Sequence, residues 1–377
     1  MKPALIRFSL TTILLVGLTA IIVSGQSVNT GIDHYNERPL HMLVLGDSIM
    51  WGQGLRTEHK SWYHVKIWLQ KTTGRPVVEK VVAHSGAIVE QSPIPDRFTA
   101  TNAEVNVALP TLNNQLDAAL RYSDSSKIDV VLISGCANDV GAENLLNANS
   151  TKEIDEMTES RCGAPMERFV RRVAMSFPAA RVIVTGYYPF FSAKTKNDFI
   201  LKGLVRRFFK IIPGTPKLSS KHILERLTAN SNYWYDVSNK TLDKAVRNVN
   251  ATLANTPERV IFAKIEFAPE YSFAASQTRL WGFNRSPFRM LLVILSFGKV
   301  PLPSNDEVRK QRSANCKEVF KEQPNETLAQ KKQREKRRML CRYAALGHPN
   351  RKGALLYADA ITSLMKGTLA VPSVAPK

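Results

Sequence analysis

Along the chain, short apolar runs alternate with amphipathic stretches. HMLVLGD at 41–47 is apolar and ends in turn residues, the pattern of a buried strand. SWYHVKIWLQKT at 61–72 has helical spacing, with Ser61 placed to act as N-cap. RPVVEKVVAHSG at 75–86 is β-branched and predicts a second strand that ends in Ser-Gly. Residues 110–122 predict a helix opened by a proline in its first turn. KIDVVLISG at 127–135, the most continuous apolar run in the body of the chain, predicts a third strand. A helical pattern over 165–177 then precedes ARVIVTGYY at 180–188, a fourth strand. A helix over 237–253 and the strand RVIFAKI at 259–265 complete the alternation.

Strands alternating with helices predict an α/β fold, a three-layer α/β/α arrangement around a five-stranded parallel sheet. In such sheets the site lies beyond the carboxyl ends of the strands, at a switch in strand order. Gly-Asp-Ser at 46–48, Ser-Gly-Ala at 85–87 and Gly-Cys-Ala-Asn-Asp at 135–139 would then share one edge. Residues 266–340 show no alternation, only the apolar run MLLVILSF at 290–297 and a long charged stretch. Together with residues 190–230 they read as insertions or covers within one domain spanning 38–370.

Charge changes the picture in one respect. Lys and Arg number 52 against 32 Asp and Glu, a formal charge of +20, much of it in 202–224 and in KKQREKRR at 331–338. Such surfaces meet nucleic acid, anionic lipid or acidic polymers, or are simply solvated. No zinc-finger spacing or other nucleic-acid signature accompanies the charge, so nucleic acid is not an expected partner. Residues 198–212 place Lys202, Arg206, Arg207 and Lys210 opposite Leu201, Leu204, Val205, Phe208 and Ile212. That stretch suits either packing on a core or contact with a membrane surface.

The N-terminus carries two positive charges, an apolar run from Phe8 to Val23, then Ser24 and Gly25. This reads as a signal peptide over 1–25, with an uncleaved membrane anchor as the alternative. Either way the expected location is secreted or extracytoplasmic. An even cysteine count fits: Cys136 with Cys162 and Cys316 with Cys341 are the sequence-local pairings, among three pairings open. Asn149, Asn239, Asn250, Asn284 and Asn325 begin Asn-X-Ser/Thr sequons, which predict glycosylated surface loops in a eukaryotic host.

A Gly-Asp-Ser triplet alone is a common turn, and a lone histidine is usually structural. Four blocks in order say more: Ser48 in GDS, Gly86, Asn138 in GCAND, and His348 in GHPNRKGALLYADAI. In these blocks, over about residues 40–265 and 341–366, the chain resembles the GDSL/SGNH hydrolase superfamily and its flavodoxin-like fold. The resemblance implies that Ser48 attacks an ester and His348 serves as base, then acid. It also implies an oxyanion hole made of the Ser48 and Gly86 N–H groups and the Asn138 amide. No cofactor or metal is implied. The family's acid, three residues before the histidine, is replaced here by Ala345. A Ser-His dyad with a carbonyl holding the ring, or a supporting acid from elsewhere (Asp47, Asp139, or Glu270 of the unmatched segment), are the alternatives. Trp51 either lines an acyl pocket or packs locally. The implied substrates are small-molecule, lipid or glycan esters, including O-acetyl groups. The rival expectation is a catalytically inactive module binding anionic glycans or lipids through its basic surface.

Overall fold

Five strands form one parallel sheet: β1 (Leu40–Leu45), β2 (Val77–Val81), β3 (Ile128–Ile133), β4 (Arg181–Thr185) and β5 (Val260–Ala263). Their order is β2-β1-β3-β4-β5, so the winding reverses between β1 and β3. Side chains of a strand alternate between faces, and both faces here are dry. Leu43, Leu45, Val131, Ile133, Val182 and Val184 share one buried cluster, whereas Met42, Val44, Val130, Leu132 and Ile183 share another. That two-sided burial explains the continuous apolar runs in the sequence. Each fully buried Leu, Ile or Val contributes about 1.5–3 kcal/mol.

Three helices cover the first face: α3 (Leu112–Tyr122), α7 (Ala164–Ser176) and α8 (Ser220–Thr252), through residues such as Leu116, Phe169 and Leu242. Between them in the chain lie α4 (Ala137–Val140), α5 (Ala142–Asn147) and α6 (Thr151–Thr158). The second face is covered by α2 (Ser61–Thr73) and α12 (Arg351–Met365), whose Val65, Leu69, Ile361 and Met365 are fully buried. The arrangement is the expected three-layer α/β/α fold. A single turn, α1 (Ser48–Trp51), leaves the end of β1.

This computed structural model describes residues 38–90, 102–122, 124–198, 201, 220–253, 258–295 and 302–366, all within one compact unit. The signal or anchor expected over 1–25 lies outside them, as does 198–212 apart from Asp198 and the buried Leu201. Among the described residues no helix is long and apolar enough to cross a membrane.

Several boundaries differ from the sequence reading. Lys60, not Ser61, is the N-cap of α2, and no side chain caps it; Ser61 is its first helical residue and is buried. Pro110 stands before α3 rather than within it, and the Thr111 hydroxyl caps the turn by accepting from Asn114 N–H at 3.2 Å. The helix expected over 237–253 begins at Ser220 and runs 33 residues, taking in the end of the expected 190–230 cover. Among the described residues, the region 266–340 holds α9 (Pro287–Leu295) and α10 (Arg309–Val319), and α11 (Leu328–Arg342) runs just past its end. Both sequence-local disulfides form, Cys136–Cys162 and Cys316–Cys341. Asn239 contradicts the expectation of a surface sequon. It is buried in α8, and its amide donates to the Tyr235 carbonyl at 2.6 Å.

Candidate active site

The first site segment is the turn between β1 and α1. Asp47 is the N-cap, its carboxylate accepting from Ile49 N–H at 2.9 Å. The same buried carboxylate accepts from the Ser134 hydroxyl at 2.6 Å and the Tyr187 hydroxyl at 2.7 Å. Ser134 and Tyr187 follow β3 and β4, so Asp47 ties three strand ends together at the point where the sheet order reverses. Burial raises its carboxyl above the usual range, and the three donors oppose that shift.

His348 arrives from the other side of the chain. Asn350 caps α12 by accepting from Lys352 N–H at 3.0 Å and Gly353 N–H at 3.1 Å. Its amide and backbone reach back to Thr278, Arg279 and Leu280. Trp281 N–H donates to the His348 carbonyl at 2.7 Å, and Gly347 N–H to the Trp281 carbonyl at 2.9 Å. A Cβ on Gly353 would stand 2.3 Å from the Arg279 carbonyl, so the glycine lets α12 approach this segment. The His-Pro-Asn-x-x-Gly spacing thus pins the imidazole beside β1.

These two segments meet. His348 Nε2 lies 2.7 Å from Ser48 Oγ, and both residues are largely buried. Nδ1 of the same ring has no hydrogen-bond partner among the described residues. The backbone carbonyls of Leu346, Ala344 and Ala345 lie close enough to favour the protonated ring, though none reaches it in good geometry. Burial, and after it the Arg312 guanidinium, outweigh them and push the imidazole down to about 4.

Among the described residues neither the Ser48 N–H nor the Gly86 N–H donates a hydrogen bond. Gly86 has φ +84°, and a Cβ there would fall 2.1 Å from Asn106 Oδ1. Asn138 faces the cavity beside Ser48, with one amide N–H on the Ala87 carbonyl at 3.0 Å. Asp139 accepts from Val89 N–H at 3.0 Å, and burial lifts its carboxyl to about 7. Neither Asp47 nor Asp139 hydrogen-bonds to His348, and Glu270 sits on a separate turn, Pro269–Tyr271, that does not line the cavity. Trp51 also stays off the cavity wall, its indole donating to Glu104 at 2.8 Å beneath Lys60.

The cavity that opens on Ser48 and His348 encloses about 210 Å³. Leu145, Tyr188, Phe190, Trp234 and Leu346 give it an apolar wall. Among the described residues no group of acidic, His or Cys side chains could hold a metal ion. Three contributors escaped the sequence reading: Ser134, Tyr187 and Tyr188, all just beyond strand ends. The edge rule that singled out the first three strands applies equally to GYY after β4.

A doubly covered parallel sheet with a serine–histidine contact at its switch point defines a hydrolase-type site. Residues 44–214 match the model of the GDSL-like Lipase/Acylhydrolase family. Over that segment, rather less than half of its length, the chain is similar to GDSL/SGNH hydrolases, and it is an ester-bond hydrolase. No curated protein matches it. Among solved structures it is similar to an extracellular lipase from Streptomyces rimosus (16% identity, 64% of this chain and 88% of that one, TM-score 0.39). It is also similar to phospholipase A1 from Streptomyces albidoflavus NA297 (14%, 66% and 89%, TM-score 0.40). A third is a carbohydrate esterase family 2 enzyme from Corynascus thermopiles (17%, 64% and 60%, TM-score 0.34). Likenesses at this level carry no argument about substrate.

Proposed function

We propose that the protein is an exported serine esterase that hydrolyses carboxylic esters through an acyl-enzyme on Ser48. The observation that carries this reading is the 2.7 Å contact between Ser48 Oγ and His348 Nε2. As Oγ attacks the ester carbonyl, Nε2 takes its proton and then returns it to the departing alcohol. Water, deprotonated by the same nitrogen, releases the acid. The developing oxyanion is met by the N–H groups of Ser48 and Gly86 and by the Asn138 amide, each donor being worth about 10²–10³ in rate. The site runs as a dyad, with nearby carbonyls rather than a carboxylate on the Nδ1 side of the ring.

The apolar cavity wall favours an acyl group of several carbons over acetyl alone, and so a lipid or fatty-acyl ester over an O-acetylated glycan. The disulfides support export. The domain so defined runs over 38–370, with 190–230 and 266–340 as covers. An inactive module would hold anionic glycans or lipids through the exposed Lys331, Lys332, Lys336 and Arg337 of α11. Such a module has no use for an aligned serine and histidine, so the enzyme reading is preferred. Turnover of p-nitrophenyl esters from acetyl to long acyl chains tests it. Hydrolysis that rises with chain length and vanishes in Ser48→Ala supports the reading; no hydrolysis of any ester by folded protein sinks it.

A further inference from the structure

Arg312 sits in a strongly charged helix, α10, yet has no exposed surface. Its fork is fully engaged. Nη1 donates to Glu104 at 2.7 Å and to Asp306 Oδ1 at 2.9 Å, while Nη2 donates to Asp306 Oδ2 at 2.6 Å. The Ser304 hydroxyl, itself bonded to Asp306, lies 3.3 Å from Nη2. Nε and Nη2 each reach the Arg342 carbonyl at 3.4 Å. A buried ion cluster is weak evidence for stability, because apolar packing would often serve as well. What the two ends of the cluster touch gives it another purpose.

One end holds the nucleophile's loop. Glu104 accepts from Gln53 Nε2 and from Gly54 N–H, each at 3.0 Å, and from the Trp51 indole. These residues form the turn directly after Ser48. The loop bearing Glu104 also clasps Ser85, since Ser85 N–H donates to Ala103 and Val107 N–H to Ser85. The other end holds the histidine's loop. Arg342 closes α11, and the tight turns that follow (Ala344 N–H to Cys341, Leu346 N–H to Tyr343, His348 N–H to Ala345) transmit its position to the imidazole. The Cys316–Cys341 disulfide staples α10 to α11 one turn after Arg312. Ala345, where the family carries its acid, is buried against Gly54. A Cβ built on that glycine would lie 2.9 Å from the alanine methyl.

We infer that Arg312, fastened by Asp306 and Glu104, is a positioning residue that registers the turn carrying His348 against the turn carrying Ser48. It takes over the orienting task of a carboxylate on the imidazole. The inference rests on Ser48 and His348 being the catalytic pair. Arg312 also bears on the ring through its charge, favouring the neutral, base-competent form.

The test is p-nitrophenyl ester turnover against pH for the full-length protein, Ser48→Ala, Arg312→Lys, and a triple variant, Arg312→Met with Glu104→Gln and Asp306→Asn. Arg312→Lys keeps the charge and loses the fork. It should lower kcat about 10–100-fold with KM within about threefold, because a small misplacement of reacting groups costs rate rather than binding. The triple variant removes the guanidinium together with both carboxylates it holds; the buried Lys60, which faces Glu104, keeps its place over the Trp51 ring. It should lower kcat similarly, again with KM within about threefold. A purely structural cluster would leave kcat and KM of the folded variants unchanged and show only as lost stability. Turnover that survives Ser48→Ala overturns the catalytic pair itself. Turnover that needs Ser48 but keeps wild-type kcat in folded Arg312→Lys and in the folded triple variant overturns the positioning role alone.

Discussion

Ser48 and His348 are 300 positions apart in the chain, and their side chains are 2.7 Å apart in the fold. Removing either should abolish ester turnover while leaving the fold intact. Ser48→Ala and His348→Ala are each expected to cost about 10⁴-fold or more in kcat, and the double variant no more than either alone, because the two act as a unit. Steady-state kinetics beside thermal melts would check this; additive losses would contradict it.

The imidazole must be neutral to act as base. Burial first, and Arg312 second, bring it down to about 4 from an ordinary 6.5. The value of kcat/KM should therefore rise with pH through a limb near 4 and be flat by neutrality. The same shift has a sign for stability. Between about 4 and 6.5 the unfolded chain binds this proton and the folded one does not, so this group lowers stability as pH falls through that window. An acid limb at 6.5 or above would mean that a carboxylate steadies the imidazolium.

Asp47 and Asp139 provide a direct comparison with that alternative. Asp139 bonds to Val89 N–H and not to His348. Asp139→Asn retains an acceptor and should change kcat less than about tenfold, whereas loss of a true triad acid costs about 10⁴-fold. Asp47→Ala strands the Ser134 and Tyr187 hydroxyls and Ile49 N–H, and should destabilise the fold by about 2–4 kcal/mol in urea unfolding.

Gly86 tolerates no side chain. With φ +84° and a would-be Cβ 2.1 Å from Asn106 Oδ1 and 2.7 Å from Val107 N, Gly86→Ala combines a left-handed penalty with overpacking. A loss of about 2–4 kcal/mol, read from a urea midpoint, is expected.

Expressed in a glycosylating host, the sequons should divide by exposure. Asn149 and Asn325 are exposed and should carry glycan, whereas Asn239 is buried, its amide already donating to the Tyr187 and Tyr235 carbonyls. Glycopeptide mass spectrometry reads this directly. Occupancy at Asn239 would contradict its burial.

Much of the layout was legible in the sequence because parallel strands buried on both faces write themselves as apolar runs. The order GDS, SGA, GCAND then fell at strand ends by the geometry of such sheets. Helix α8 was underestimated because its first turns mix Ile223, Leu224 and Leu227 with charged residues, after a basic stretch that reads as cover rather than core. Arg312 was invisible for a different reason. In RKQRSANCKEV it looks like one more solvated cation, and its partner Glu104 is 208 residues away. Tyr187, by contrast, was readable at the end of the fourth strand.

The most direct test of the account is fluorophosphonate labelling of the folded protein, followed by mass spectrometry of the modified peptide. An adduct on Ser48 that is lost in His348→Ala, and that forms at neutral pH without a carboxylate on Nδ1, is the predicted result. Folded protein that takes no label at Ser48, or takes it equally without His348, would contradict the Ser-His dyad.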